Sequence, residues 1–208
     1  MGAELFDKVL RERIYSSVFW KEHLLVDIDA ESVLDVAVQL DCVGGTHGLG
    51  SPRPTPFLCV LLKLCELAPA PAVLAEYLSQ RTWKYVEALA LAYVRLAAPP
   101  SVVYAVLEAR LGDWRRLRLR QPDGRYVLTW MDAYADGLLA GTRVLDAVPA
   151  PRLPRRALFL EGMVAPLAPK DPFRVLLPER GGQTGDIGDR PSFGVSLDES
   201  DDECASSE

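Results

Sequence analysis

The sequence has no apolar stretch long enough to cross a membrane. Its longest run, 57–62, stops at Lys63, far short of the roughly 20 residues a bilayer requires. It also has no excess of basic charge, with 23 Lys and Arg against 29 Asp and Glu. Six of those acids (Asp198, Glu199, Asp201, Asp202, Glu203 and Glu208) crowd into 198–208, which has no base, and the rest of the chain balances at 23 of each sign. A global basic footprint for nucleic acid is thereby excluded, while a local one is not. No apolar segment follows a basic start at the N-terminus, so no signal peptide is legible. Leu5 and Phe6 stand where a myristoylation site needs Ser or Thr. The four cysteines include no C-x₂-C pair, and three of them sit in apolar segments. They read as reduced core residues of an intracellular protein.

What is present is ordinary for a globular chain. Its 208 residues are 49% apolar and 25% charged, with mean hydropathy +0.06. This suits one compact domain with a tail, large enough to bury a core without metal or disulfide staples. From residue 4 to about 160 the pattern is helical. Leu5, Val9, Leu10 and Ile14 open a first amphipathic helix. Asp29 caps a second over 30–40. Thr55-Pro56 starts a third over 57–67, apolar nearly all round and hence buried on most sides. Pro69 and Pro71 lead into 73–80. Thr82 then caps 83–97, where Lys84, Glu87 and Arg95 form one narrow polar stripe, and Pro99-Pro100-Ser101 leads into 102–112. Between Trp114 and Trp130 the period changes to two around Pro122-Asp123-Gly124, which predicts a single β-hairpin. Helix returns over 132–141, with Gly141 as a left-handed cap, then over 143–148 and 155–164. The predicted fold class is mainly α: a single multi-helix orthogonal bundle over 1–178 with one small β-hairpin at about 114–130. An irregular, Gly-rich and acidic C-terminal tail, 179–208, is expected to lack ordered structure.

No constellation for catalysis assembles. The glycine loop 44–50 lacks the Gly-Lys-Ser/Thr ending of a phosphate loop and follows a helix, so it reads as a tight connection needing positive φ. Cys42, His47, Cys59 and Cys65 do not converge as a zinc set, because Cys59 and Cys65 lie about 120° apart around one helix. Ser51 is in no Gly-x-Ser-x-Gly elbow. Neither catalytic residue, metal site, cofactor nor small-molecule substrate is expected. The most informative local charge is a basic face of Arg115, Arg116, Arg118, Arg120 and Arg125, where strand alternation aligns Arg116, Arg118 and Arg120 as a comb. Three readings stay open: a docking face for acidic peptide or RNA phosphate, a solvated strand edge guarded by charge, or a platform for the acidic tail.

At this point a resemblance enters. Arg13-Ile14-Tyr15, Phe19-Trp20-Lys21-Glu22, Val43-Gly44-Gly45, Pro54-Thr55-Pro56-Phe57-Leu58-Cys59 and Leu62-Lys63-Leu64 occur in order. Lys84-Tyr85-Val86, Ala92-Tyr93-Val94-Arg95-Leu96, Asp113-Trp114-Arg115-Arg116, Asp123-Gly124, Asp132 and Arg152-Leu153-Pro154-Arg155-Arg156 follow. Together, over about residues 5–160, they closely resemble the pre-mRNA-splicing factor 38 family. The resemblance implies a nuclear spliceosomal protein that comes with the tri-snRNP and is needed for small nuclear RNA unwinding and spliceosome activation. It implies a mostly helical, non-enzymatic hub whose partners are a zinc-finger protein of the same particle and a microfibrillar-associated-protein-1-like peptide. The chain departs from the animal members in having no long Arg/Ser-rich tail, so contacts made through such a tail are not carried over. The residues themselves agree on class: a neutral helical body suits a scaffold with grooves between helices. A peptide groove is expected near Tyr15, Phe19, Trp20, Gly44, Gly45, His47 and Arg53, with Trp20 either an exposed anchor or core. The alternative function is binding of small nuclear RNA through the hairpin at 115–125.

Overall fold

The computed structural model describes residues 2–164 apart from 26, 27, 49, 142, 150 and 152. The expected boundary at 178 and the acidic tail lie outside the described residues.

Two helices make the centre. α4 (Pro56–Leu67) begins where the side chain of Thr55 accepts the Leu58 N–H and Pro56 takes the first helical position, where no N–H is needed. Eight of its twelve residues are buried. Each fully buried leucine there (Leu58, Leu61, Leu62, Leu64) contributes about 1.5–3 kcal/mol relative to exposure. α6 (Lys84–Ala97) packs against it with eleven of fourteen residues buried. α6 starts without a side-chain cap, so the expected role of Thr82 is not realised.

Around this pair lie shorter elements. The N-terminal segment is a 3-10 turn, Gly2–Leu5, followed by α1 (Lys8–Ser16) and α2 (Val18–His23). Of the expected amphipathic set, Leu10 and Ile14 are buried, while Val9 faces solvent. α3 (Ser32–Val38) is shorter than expected and is not capped by the Asp29 side chain. α5 (Pro71–Ser79) and α7 (Pro100–Glu108) both start on proline. α7 ends before Gly112, which sits at φ +96°. α8 (Met131–Ala140) and α9 (Arg155–Leu160) complete nine α-helices among the described residues.

The fold is mainly α, as expected, and its strands exceed the single hairpin. β1 (Val43–Gly44) pairs in parallel with β4 (Arg116–Arg120), and β4 pairs antiparallel with β5 (Tyr126–Trp130), giving the order β1-β4-β5. β2 (Thr46–His47), inside what read as the glycine connection 44–50, and β3 (Arg53–Pro54), just beyond it, form a separate ribbon. Two-residue strands carry no period, so alternation could not have revealed them. Two further expectations fail. Gly141 ends α8 in extended conformation rather than left-handed. The expected helix over 143–148 is a tight turn instead: Val144 bridges Ala147, and Leu145 and Asp146 take φ +47° and +72°. Asp146 has a reason to be there. Its carboxylate accepts the N–H (2.7 Å) and hydroxyl (2.9 Å) of Thr46, a tertiary anchor that local propensity does not encode.

Candidate functional site

A groove of about 750 Å³ opens where the α1–α2 corner faces the β2–β3 ribbon. Ser17 makes the corner: its hydroxyl donates to Ile14 O (2.6 Å) and accepts the Trp20 N–H (3.3 Å), stopping one helix and capping the next. This capping turns Trp20 inward. It is 5% exposed, meets Tyr15 edge-on at 5.0 Å and lies 5.7 Å from the Lys63 ammonium. Tyr15 in turn donates to Glu66 at 2.5 Å, so this pair fastens the corner to α4. Of its two sequence readings, Trp20 takes the core one.

Phe19 remains on the open side, its ring 4.9 Å from that of His23. It lines the groove with Arg13 from one wall and His47, Pro52, Arg53 and Pro54 from the other. The opposite wall is braced by Gly48, whose N–H donates to Pro122 O (2.8 Å) at φ +107°. Burial holds the His47 imidazole below its ordinary pKa, and the neighbouring charges of Arg120 and Arg53 add to this. A neutral His47 between two arginines leaves a groove that is basic at Arg13 and Arg53 and apolar at Phe19 and its prolines.

Gly44 and Gly45 are not in that lining. A Cβ on Gly44 would lie 3.0 Å from Arg120 Cβ and 3.2 Å from Thr55 Cγ2, and one on Gly45 would collide with the Asp146 carboxylate. They are needed for close approach, which lets β1 reach β4 and lets the Thr55 hydroxyl donate to Gly44 O (2.6 Å). The structure therefore gathers Phe19, His47 and Arg53, with Tyr15, Trp20, Gly44 and Gly45 behind them.

The basic face is smaller than the sequence suggested. Arg116, Arg118 and Arg120 do share one face of β4. Their guanidiniums lie over rings of β5: Arg116 at 5.2 Å from Trp130, and Arg118 and Arg120 at 4.5 and 5.2 Å from Tyr126. Arg118 also pairs with Asp41 at 3.1 Å. Arg125 is at the turn, paired with Asp123 at 3.5 Å. Arg115 is not on this face. It turns inward to ion-pair with Glu87 and with Asp113 (2.6 Å), and donates to Arg81 O (2.9 Å). Arg110 pairs with the other oxygen of Glu87 and donates to Leu78 O (3.0 Å). The edge of the hairpin is β5, while β4, which carries the arginines, is the central strand.

The Glu87 network was missed. Lys84, Glu87 and Arg95 read as a polar stripe, yet Glu87 is 0% exposed and Arg95 is buried with its Nε donating to Leu138 O (2.9 Å). The one acid of a helix that is otherwise apolar between Lys84 and Arg95 was the available signal, since such a group is buried only when paired. Trp114, 69% exposed and edge-on to Trp130 at 6.1 Å, was equally unremarked as surface. Cys42, Cys59 and Cys65 are buried and free. Burial is the first cause that pushes their thiols up, to about 11, 11 and 12. They stay protonated at neutral pH and are poor nucleophiles and ligands.

Fold and surfaces together define a helical domain around two buried helices, with an amphipathic groove and an arginine–aromatic sheet face open to solvent. Comparison with known proteins places the domain in a family. The model of the PRP38 family matches residues 2–161, and the chain belongs to that family. It is 38% identical over 157 residues to pre-mRNA-splicing factor 38A of Xenopus laevis, covering 76% of this chain and 49% of that protein. It is 37% identical over 163 residues to pre-mRNA-splicing factor 38 of Arabidopsis thaliana, covering 78% and 45%. Among solved structures it is similar to a chain in the crystal structure of the Snu23–Prp38–MFAP1(217-258) complex of Chaetomium thermophilum. There the TM-score is 0.75 and the identity 36%, over 81% of this chain and 88% of that one. The chain spans about half the length of the curated relatives it matches.

Proposed function

We propose that this chain is a non-enzymatic, nuclear scaffold of the spliceosome, associated with the tri-snRNP and acting at the activation step of pre-mRNA splicing. The observation that carries this reading is its likeness to a Prp38 chain solved in complex with Snu23 and an MFAP1 fragment. Its partners are spliceosomal proteins: a zinc-finger protein of the tri-snRNP and a microfibrillar-associated-protein-1-like peptide. Residues 1–178 form the interaction domain and 179–208 an appended tail.

The groove between the α1–α2 corner and the β2–β3 ribbon is where a partner helix or extended peptide docks. Phe19 offers an apolar contact, and Arg13 and Arg53 offer cations to an acidic rim. Affinity purification with the full chain, followed by mass spectrometry, tests this. The doubly changed Phe19→Ala, Arg53→Glu chain should lose one protein partner while its thermal unfolding stays near that of the parent. An unchanged partner set would refute the groove assignment, and recovery of no spliceosomal protein with the parent chain would refute the scaffold. The RNA alternative predicts retention of small nuclear RNA that falls steeply with salt. No retention at moderate salt removes it.

A further inference from the structure

The hairpin holds a second, separate feature. Its ladder is bracketed by two bonds, Gln121 N–H to Arg125 O and Met131 N–H to Arg115 O, each 2.9 Å. Hydrogen-bonded and non-bonded pairs alternate in an antiparallel ladder. With the observed register, Leu117/Thr129 and Leu119/Val127 are then the bonded pairs, and Arg116/Trp130, Arg118/Leu128 and Arg120/Tyr126 point their backbone groups outward. On the β4 side several of these outward groups are used. Arg116 O accepts from Lys84 Nζ (2.6 Å), the Arg118 N–H donates to the Tyr85 hydroxyl (3.2 Å), and Arg120 pairs with Gly44 of β1.

On the β5 side they are open. No described residue bonds the outward N–H or C=O of Tyr126 or Leu128. Exposed strand edges are ordinarily blunted by Lys, Pro, a bulge or an inward charge. β5 reads Tyr-Val-Leu-Thr-Trp, has none of these, and leaves Leu128 67% exposed. The three arginines of β4 lean across β5 on to Trp130 and Tyr126, so cations overhang one face of this edge. The opposite face at the edge carries the uncharged Val127 and Thr129.

We propose that β5 accepts an extended segment of a partner protein by strand addition, and that this segment alternates acidic with apolar residues. Its backbone completes the bonds left open at Tyr126 and Leu128. Its carboxylates lie on the side of Arg116, Arg118 and Arg120, and its apolar residues lie beside Val127 and Thr129. Peptide fits better than stacked nucleobases because guanidiniums already occupy the Trp130 and Tyr126 rings that bases would need. This surface shares no residue with the groove, and neither assignment depends on the other.

The test uses the full chain with a blocked octapeptide alternating glutamate and valine, and reads amide exchange residue by residue by NMR. The expected result is slowed exchange at Tyr126 and Leu128 on titration. Methylating the peptide amides on the side that meets β5 should weaken binding about tenfold or more, the loss of one to two backbone bonds. Methylating the alternate amides should not. Leu128→Pro removes an outward N–H without touching a ladder bond and should weaken binding similarly. The methylated peptides keep the test on the unaltered chain if that variant does not fold. Equal binding of a lysine–valine peptide, or indifference to which amides are methylated, overturns the proposal. So does protection that rises with protein concentration alone, which would assign the edge to a second copy. Perturbation of this face by oligouridylate and not by peptide would assign it to RNA and likewise overturn it.

Discussion

Replacing Glu87 by glutamine should destabilise the domain far more than a surface charge change would. Glu87 is fully buried in α6, with one carboxylate oxygen on Arg110 and the other on Arg115. Removing one partner of a buried ion pair costs about 3–5 kcal/mol, because the charges left behind have lost water without compensation. Here the two arginines are 20% and 25% exposed and keep other acceptors, Leu78 O for Arg110 and Asp113 with Arg81 O for Arg115. The lower end, about 3 kcal/mol, is therefore expected. For a domain of this size that lowers Tm by about 6–12 °C. Thermal and urea unfolding followed by circular dichroism read the loss. Because Arg115 also holds the partly buried Asp113, the change that leaves no charge unpaired is the quadruple one, Glu87→Leu, Arg110→Met, Arg115→Met, Asp113→Asn, and it should cost less than Glu87→Gln alone. A Glu87→Gln cost within about 1 kcal/mol, the range of ordinary substitutions, would refute the reading of Glu87 as a buried charge whose pairing with Arg110 and Arg115 stabilises the domain.

Two other outcomes follow from the same physics. Gly45→Ala must displace the Asp146 carboxylate and so break its two bonds to Thr46, an expected loss of about 1–3 kcal/mol in urea unfolding. Gly137→Ala, in the open interior of α8, should instead stabilise by about 0.5–1 kcal/mol, and equal effects at the two glycines would sink the argument. Asp113 is held below its ordinary carboxylate value, first by hydrogen bonds from Arg115, while burial pushes the other way. Above that ordinary value both folded and unfolded chains are ionised there and the pair contributes fully. As pH falls below it the unfolded chain takes up the proton first, and the contribution disappears as pH reaches the lowered folded value. Asp113→Asn should therefore flatten the decline of the urea midpoint as pH falls below the ordinary carboxylate range, and an unchanged slope would contradict it.

Much of this molecule was legible because its signals are local. Thr55-Pro56 announces α4, and the apolar run behind it declares burial on most sides. Alternation from Arg116 to Trp130 declares the hairpin, and the ordered family motifs declare the fold. Where the signals were local but weak, boundaries slipped: α7 stops four residues before Gly112, and Gly141 is extended. A groove does open beside the segments named from the sequence, yet which residues line it depends on the Ser17 corner turning Trp20 in and leaving Phe19 out.

The sequence alone determined that two apolar helices would be buried and that arginines would line one face of a strand, because periodicity of 3.6 and 2 is written in neighbouring residues. Only tertiary structure decided which charges are spent and which backbone groups stay open. Glu87 meets Arg110 and Arg115 across 23 and 28 residues of chain. β1 comes to the arginine strand across more than 70 residues, making that strand central and leaving β5 as the edge. Ion pairing and strand order are properties of distance in space, and no spacing along the chain encodes them.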